Sequence, residues 1–233
     1  MNQDYVYTSE APIGNLPNLC ILADGMGGHN AGDYASRYTV ETIIKSVQDS
    51  QNTSPIVVLK KAIQEANHAV LDKAGMDIDL EGMGTTVVVA TQIDCELLVA
   101  NVGDSRLYIA SDHLRQITKD HSYVQEMVRR GKMKPEVARI HPDRNIITRA
   151  VGGGPNIEID FFEVELREKD QVLMCSDGLT DMLEDGEIFD IIDSCKNTMD
   201  AVEELIRAAN EYGGNDNITV ILTDPFSSEV KKC

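Results

Sequence analysis

Residues 85–110 read TTVVVATQIDCELLVANVGDSRLYIA. Within this stretch 85–93, 96–102 and 106–110 are rich in β-branched and aliphatic residues, the composition of strands. Asp94-Cys95 and, further on, Ser111-Asp112-His113 are breaks of hairpin length, so the sheet they predict is antiparallel. Upstream the period changes. Ala31, Tyr34, Ala35, Tyr38, Ile43 and Val47 follow helical spacing over 31–47, and 54–73 does so again, with Ser54 as an N-cap candidate, Pro55 at the first helical position and Gly75 beyond the end. Before these helices, 19–22 is a short apolar run ending at Asp24-Gly25, read as a buried strand that stops at a turn. Downstream, 122–130, 187–194 and 199–212 return to helical spacing, while 158–166, 171–176 and 218–223 read as strands. Helices, a run of strands, then helices before a last strand define an α+β class with helices layered on antiparallel sheets.

No repeat, low-complexity tract or Pro/Ser-rich linker divides the 233 residues, so one domain is expected over 1–233. The chain has 39 acidic and 21 basic side chains, a net charge of -18. That balance argues against nucleic acid or an anionic membrane as a partner, because both need a basic face. With 42% hydrophobic residues the chain can bury a core, and with no Trp and only 5% aromatics that core rests on Val, Ile, Leu, Met and Ala. Cys20, Cys95, Cys175, Cys195 and Cys233 are odd in number, widely spaced and without a CxxC pair, which argues against a disulfide framework and a thiolate zinc site. The N-terminus MNQDYVYTSE has neither a basic nor an apolar leader region, and the longest uncharged stretch, 82–93, is too short to span a bilayer. A reducing, cytoplasmic setting is the expectation.

The unusual feature is a set of aspartates where apolar strands stop. Asp24 follows CILA, Asp104 follows LLVANVG, Asp177 follows VLMCS, and Asp216 sits in GGNDN just ahead of ITVIL. Strand ends gather at one edge of a sheet, so these carboxylates can converge, and converging carboxylates need protons or a multivalent cation. Oxygen donors without His or Cys favour Mg²⁺ or Mn²⁺ over zinc. Glycines beside Asp24, Asp104 and Asp177 are expected to leave room for the metal, its waters and a phosphate. Any one Asp-Gly alone reads as a turn; four aspartates, each beside an apolar strand, read as a metal site.

These residues lie in a series of motifs. DGMGGHNAGDYAS (24–36), GTT (84–86), VGDSR (102–106), KDHSYVQEMVRRG (119–131), HPDRNIITRAVG (141–152), CSDGLTDML (175–183) and GGNDNITVI (213–221) together resemble the successive motifs of bacterial metal-dependent protein phosphatases of type 2C. Seven motifs in the family's order are specific where one would not be. The resemblance implies a four-layer α/β/β/α sandwich, two antiparallel sheets flanked by helix pairs, with a flap subdomain at about 131–150.

For chemistry, the resemblance implies two metals that share a bridging water. Asp24 matches the carboxylate bridging both, the Gly25 carbonyl a ligand of the first, and Asp177 and Asp216 the carboxylates of the second. Asp104 matches a ligand of a third, weaker metal in several bacterial members, and Asp4, in NQD, an acid that orders metal-bound waters. The implied activity is hydrolysis of phosphoserine and phosphothreonine by a metal-bridging hydroxide, with Mn²⁺ or Mg²⁺ as cofactor, on phosphorylated proteins modified by a cognate serine/threonine kinase. A monomer is expected, with no nucleic-acid or membrane partner. None of the cysteines lies in a C-x5-R loop, so a thiolate phosphatase is not indicated. Met26 stands where animal relatives carry a His, so no leaving-group acid is assigned; His29 is read as loop or first-helix support, His121 and His141 as fold or flap residues. The basic residues Lys132, Lys134, Arg139, Arg144 and Arg149 read either as a phosphopeptide-attracting flap or as a solvated loop. Family members carry a phosphate-binding Arg five residues before the Asp of NQD, on a first strand; here only three residues precede Asp4, so that Arg and strand are expected to be missing. Two rival readings are a phosphatase of anti-sigma-antagonist proteins, which usually lacks the flap, and a non-catalytic phosphoprotein-binding scaffold, against which the intact aspartates argue.

Overall fold

A computed structural model describes residues 2–27 and 31–227. Two strands, β1 (Asp4–Ser9) and β2 (Leu19–Met26), precede the helices α1 (Ala31–Asp49) and α2 (Pro55–Met76). The central run holds β3 (Gly84–Thr85), β4 (Val87–Ile93), β5 (Glu96–Val102), β6 (Arg106–Ala110) and β7 (Leu114–Gln116). Two short helices follow, α3 (Tyr123–Arg129) and α4 (Pro135–Arg139), then β8 (Asp160–Glu165) and β9 (Gln171–Cys175). The chain closes with α5 (Asp177–Thr180), α6 (Asp185–Ser194), α7 (Thr198–Glu211) and β10 (Val220–Thr223).

The strands form two antiparallel sheets. One has the order β1-β2-β4-β5-β8, with β3 paired to β2, and the other the order β10-β9-β6-β7. Side chains alternate across each strand, and that alternation builds the layers. Ile21, Val87, Val89, Leu98 and Ala100 face α1 and α2, packing with Ile43, Val47, Leu59 and Ile63. Their neighbours Leu22, Val88, Ala90, Leu97 and Val99 face the other sheet, meeting Leu107, Ile109, Val172 and Met174. Tyr108, Leu173, Cys175 and Leu222 point outward again, to Leu179, Ile188 and Leu205 of the second helix layer. The sandwich therefore has four layers and three apolar seams. Central strands buried on both faces read as unbroken apolar runs, which is why the 85–110 stretch stands out.

Several boundaries differ from expectation. β2 runs on through Asp24 and Gly25 to Met26 instead of stopping at a turn, because Asp24 pairs with Asp4 and Gly25 with Thr85 across its two edges. The expected strand at 85–93 is broken at Thr86 into β3 and β4. α2 continues through Gly75, and Ser54 makes no side-chain cap; the Ser54 amide instead donates to Asn52 Oδ1 at 2.8 Å. β1 and β7 carried no sequence signal strong enough to name them. The flap region is more ordered than its composition implies: α4 lies within it, and Ser122 pairs with Ile147 and Thr85 with Val151 as it returns. Gly28 and His29 lie outside the described residues. Among the described residues no helix is long and apolar enough to cross a membrane.

Candidate active site

The antiparallel register of β1 and β2 sets Asp4 directly opposite Asp24. Asp104 follows β5, Asp177 opens α5 just past β9, and Asp216 lies in the loop before β10. The topology brings all five to one edge of the sandwich. The charges of Asp177, Asp4 and Asp104 bear on Asp24, and those of Asp181, Asp216 and Asp4 bear on Asp177. Burial first, and this crowding second, pushes Asp24, Asp104 and Asp177 above the ordinary carboxylate range. Burial raises Asp4 too, against hydrogen bonds that favour its ionised form. Asp216, by contrast, is exposed.

The supporting contacts come from residues that sequence reasoning did not assign. The Asp24 amide donates to Thr86 Oγ1 at 3.0 Å, and Thr86 Oγ1 shares a 2.7 Å hydrogen bond with Ser105 Oγ, next to Asp104. The Asp24 carbonyl accepts from Thr85 Oγ1 at 2.8 Å and from the Thr86 amide at 2.9 Å. GTT thus holds the backbone that presents Asp24. Ser176 plays the same part on the other sheet: its Oγ donates to Asp4 Oδ2 at 2.8 Å and accepts from the Thr219 amide at 3.0 Å. The Gln3 amide donates to Asn217 Oδ1 at 2.7 Å, joining the two ends of the chain beside Asp216. Asp181, one helical turn after Asp177, also belongs to the acidic group and accepts from Arg144 Nε of the flap at 3.2 Å.

The glycines beside Asp24 and Asp177 stand where two backbones approach closely. A Cβ on Gly25 would lie 2.0 Å from the Gly32 carbonyl oxygen, and one on Gly178 would lie 2.0 Å from that of Asn217. Glycine stands beside Asp24 and Asp177 because backbone packs against backbone there.

The acids are linked pairwise, Asp24 sharing a hydrogen bond with Asp177. Among the described residues no group of three His, Cys, Asp or Glu side chains is already arranged to hold an ion. Two buried oxygens, Asp4 Oδ1 and Asp177 Oδ1, have no hydrogen-bond partner. A buried acceptor without a donor is costly and rare. Unpaired carboxylate oxygens beside three further acids are what a hard divalent cation would satisfy, so the residues present fit one.

The flap cations are mostly engaged. Arg139 reaches Glu184 at 4.0 Å, Arg144 reaches Asp181, and Arg149 contacts Glu158 at 3.0 Å and Asp160 at 2.9 Å. Of the five basic residues, only Lys132 and Lys134 make no ion pair among the described residues.

Comparison with known proteins bears on the family and the fold. A family description, "Protein phosphatase 2C", matches residues 1–223. The serine/threonine phosphatase stp of Listeria monocytogenes is 41% identical over 213 residues, which cover 88% of this chain and 84% of that protein. Among solved structures, the serine/threonine phosphatase Stp1 of Staphylococcus aureus superposes with a TM-score of 0.89 at 33% identity, covering 95% of this chain and 88% of that one. The catalytic domain of the phosphatase PstP, solved in complex with two manganese ions, gives 0.83 at 34% identity, covering 95% and 90%.

Proposed function

Because the chain belongs to the protein phosphatase 2C family and is a protein-serine/threonine phosphatase, we propose that it hydrolyses phosphoserine and phosphothreonine esters on proteins modified by a partner serine/threonine kinase, using divalent metal held by the aspartates described above. Asp24, Asp177, Asp216 and the Gly25 carbonyl would hold a pair of Mn²⁺ or Mg²⁺ ions, Asp104 would serve a weaker third, and Asp4 would order water. Such ions, when bound, acidify water and neutralise phosphoryl oxygens. The protein's own part is positioning. Thr85 and Thr86 fix the Asp24 backbone, and Ser176 fixes Asp4 against the second sheet. Asp216 is exposed, and its charge bears on Asp4 and Asp177. The reading also has the chain act as a monomer in the cytoplasm.

The observation that carries this proposal is the pair of orphaned, buried carboxylate oxygens at the centre of five converging acids. The ordered flap favours this reading over a phosphatase of anti-sigma-antagonist proteins. The test is hydrolysis of a phosphothreonine peptide after exhaustive EDTA treatment. Turnover should vanish and return with added Mn²⁺ or Mg²⁺; activity that survives complete chelation overturns the metal reading.

A further inference from the structure

His121 lies outside the acidic group, yet it sits where three parts of the fold meet. It is 7% exposed. Its amide donates to the Gly103 carbonyl at 2.9 Å, while its Nδ1 accepts from the Gly103 amide at 3.0 Å, so one histidine holds both ends of the residue that precedes Asp104. Gly103 has a φ of +110°, and a Cβ there would lie 2.5 Å from the Thr86 side chain, so its peptide is held in a conformation that only glycine adopts easily. On its other side the ring faces Asp160 of β8, Nε2 lying 3.2 Å from Oδ2, while Arg149 takes Oδ1. The His121 carbonyl accepts from the Thr148 amide at 2.7 Å, at the point where the flap chain returns to the body. With Nδ1 committed as an acceptor, the ring is the Nε2–H tautomer, and both it and Arg149 donate to Asp160; Arg149 Nη1 also lies 3.3 Å from Nε2, a contact between two donors in this tautomer.

We propose that His121 is a positioning residue that clamps the Gly103 peptide, and through it the Asp104 carboxylate, in register with the returning limb of the flap. This role rests on the reading of Asp104 as a metal ligand. It gives the flap a direct mechanical route to that ligand: displacement of Thr148 moves His121, and His121 moves the peptide that carries Asp104.

Two substitutions separate the ends of the ring. His121→Asn places Oδ1 where Nδ1 stands and keeps the acceptor for Gly103, whereas His121→Gln keeps the donor toward Asp160 and withdraws that acceptor. In calorimetric titrations with Mn²⁺, His121→Gln should weaken the weakest binding step about 10-fold, the range for loss of a group that orients a ligand. It should also speed hydrogen exchange of the Gly103 amide. His121→Asn should retain most of both properties. Equal losses in the two variants, or a lowered Tm with Mn²⁺ binding unchanged, would overturn the clamp. Should either variant fail to fold, the wild-type ring decides: ¹⁵N spectra must show a bare Nδ1 and a protonated Nε2, and a protonated Nδ1 refutes the proposal. Asp104→Asn is run alongside. If it leaves every Mn²⁺ step unchanged, the ligand reading of Asp104 fails, while the exchange rate and the ring tautomer still judge the clamp.

Discussion

Asp24 and Asp177 differ from Asp104 in how much of the chemistry should depend on them. Each of the first pair is proposed to hold the central cations, and a Lewis acid that stabilises phosphoryl charge contributes several kcal/mol. Asp24→Asn and Asp177→Asn should therefore each lower kcat by about 10³-fold or more, at about 1.4 kcal/mol per factor of ten. Asp104→Ala should cost less and recover in high Mn²⁺; equal, unrescued losses at all three positions would erase the distinction. The hydroxyls behind the acids make a separate prediction. Thr86→Val preserves shape but strips the acceptor from the Asp24 amide and the partner from Ser105, so stability should fall by about 1–3 kcal/mol along with kcat, as denaturant unfolding and steady-state assays would read. The aspartates were legible in the sequence because each stands beside an apolar strand in a recurring motif. Thr86, Ser105 and Ser176 were not, since serine and threonine occur everywhere and only the paired strands reveal what their hydroxyls reach.

Elements meet at this site by backbone contact. The C-terminal end of β2 touches the start of α1 through Gly25 and Gly32, and α5 touches the lead into β10 through Gly178 and Asn217. An alanine at either contact point must push whole elements apart, because the obstructing atom is a carbonyl oxygen fixed in its own segment. Gly178→Ala should cost about 2–3 kcal/mol, a drop in Tm of about 5–10 °C for a chain of this length. An unchanged Tm in a thermal melt would mean that the two segments part freely. Long, doubly buried strands such as β4, β5 and β6 were readable, as were α1 and α7 from their periodicity. Of the four edge strands, β8 and β10 were readable, whereas β1 and β7 were not, because DYVYTS and LRQ carry mostly polar residues and look like loop. The continuation of β2 through Asp24 was hidden for a related reason: its partners, Asp4 and Thr85, are distant in sequence.

For the molecule as a whole, electrostatics sets the response to pH and to salt. Burial and crowding lift Asp177 to about 6 and Asp104 to about 8, whereas an unfolded carboxyl titrates near 3.9. The folded chain thus keeps protons that the unfolded chain has released, and stability falls as pH rises through that window. In EDTA, Tm should decline between about pH 5 and pH 8, and excess Mn²⁺ should reverse the decline, most strongly at the alkaline end; a Tm that climbs with pH in EDTA would contradict the crowding. The net charge of -18 steers cationic ligands, so phosphopeptides flanked by Lys or Arg should show a higher kcat/KM than acidic ones, and the gap should narrow in high salt. Indifference of both peptides to ionic strength would count against steering. The overall α+β layering was legible because the order of periods along the chain mirrors the order of layers. The contact between Gln3 and Asn217, 214 residues apart, was not, and it has a temporal meaning. During synthesis Asp216 leaves the ribosome after Asp4, Asp24, Asp104 and Asp177, so a nascent chain carries Asp4 and Asp24 long before their last acidic neighbour exists. On the proposed metal reading, a chain that stops short of Asp216 lacks one of the carboxylates for the metals and should show no turnover of a phosphothreonine peptide.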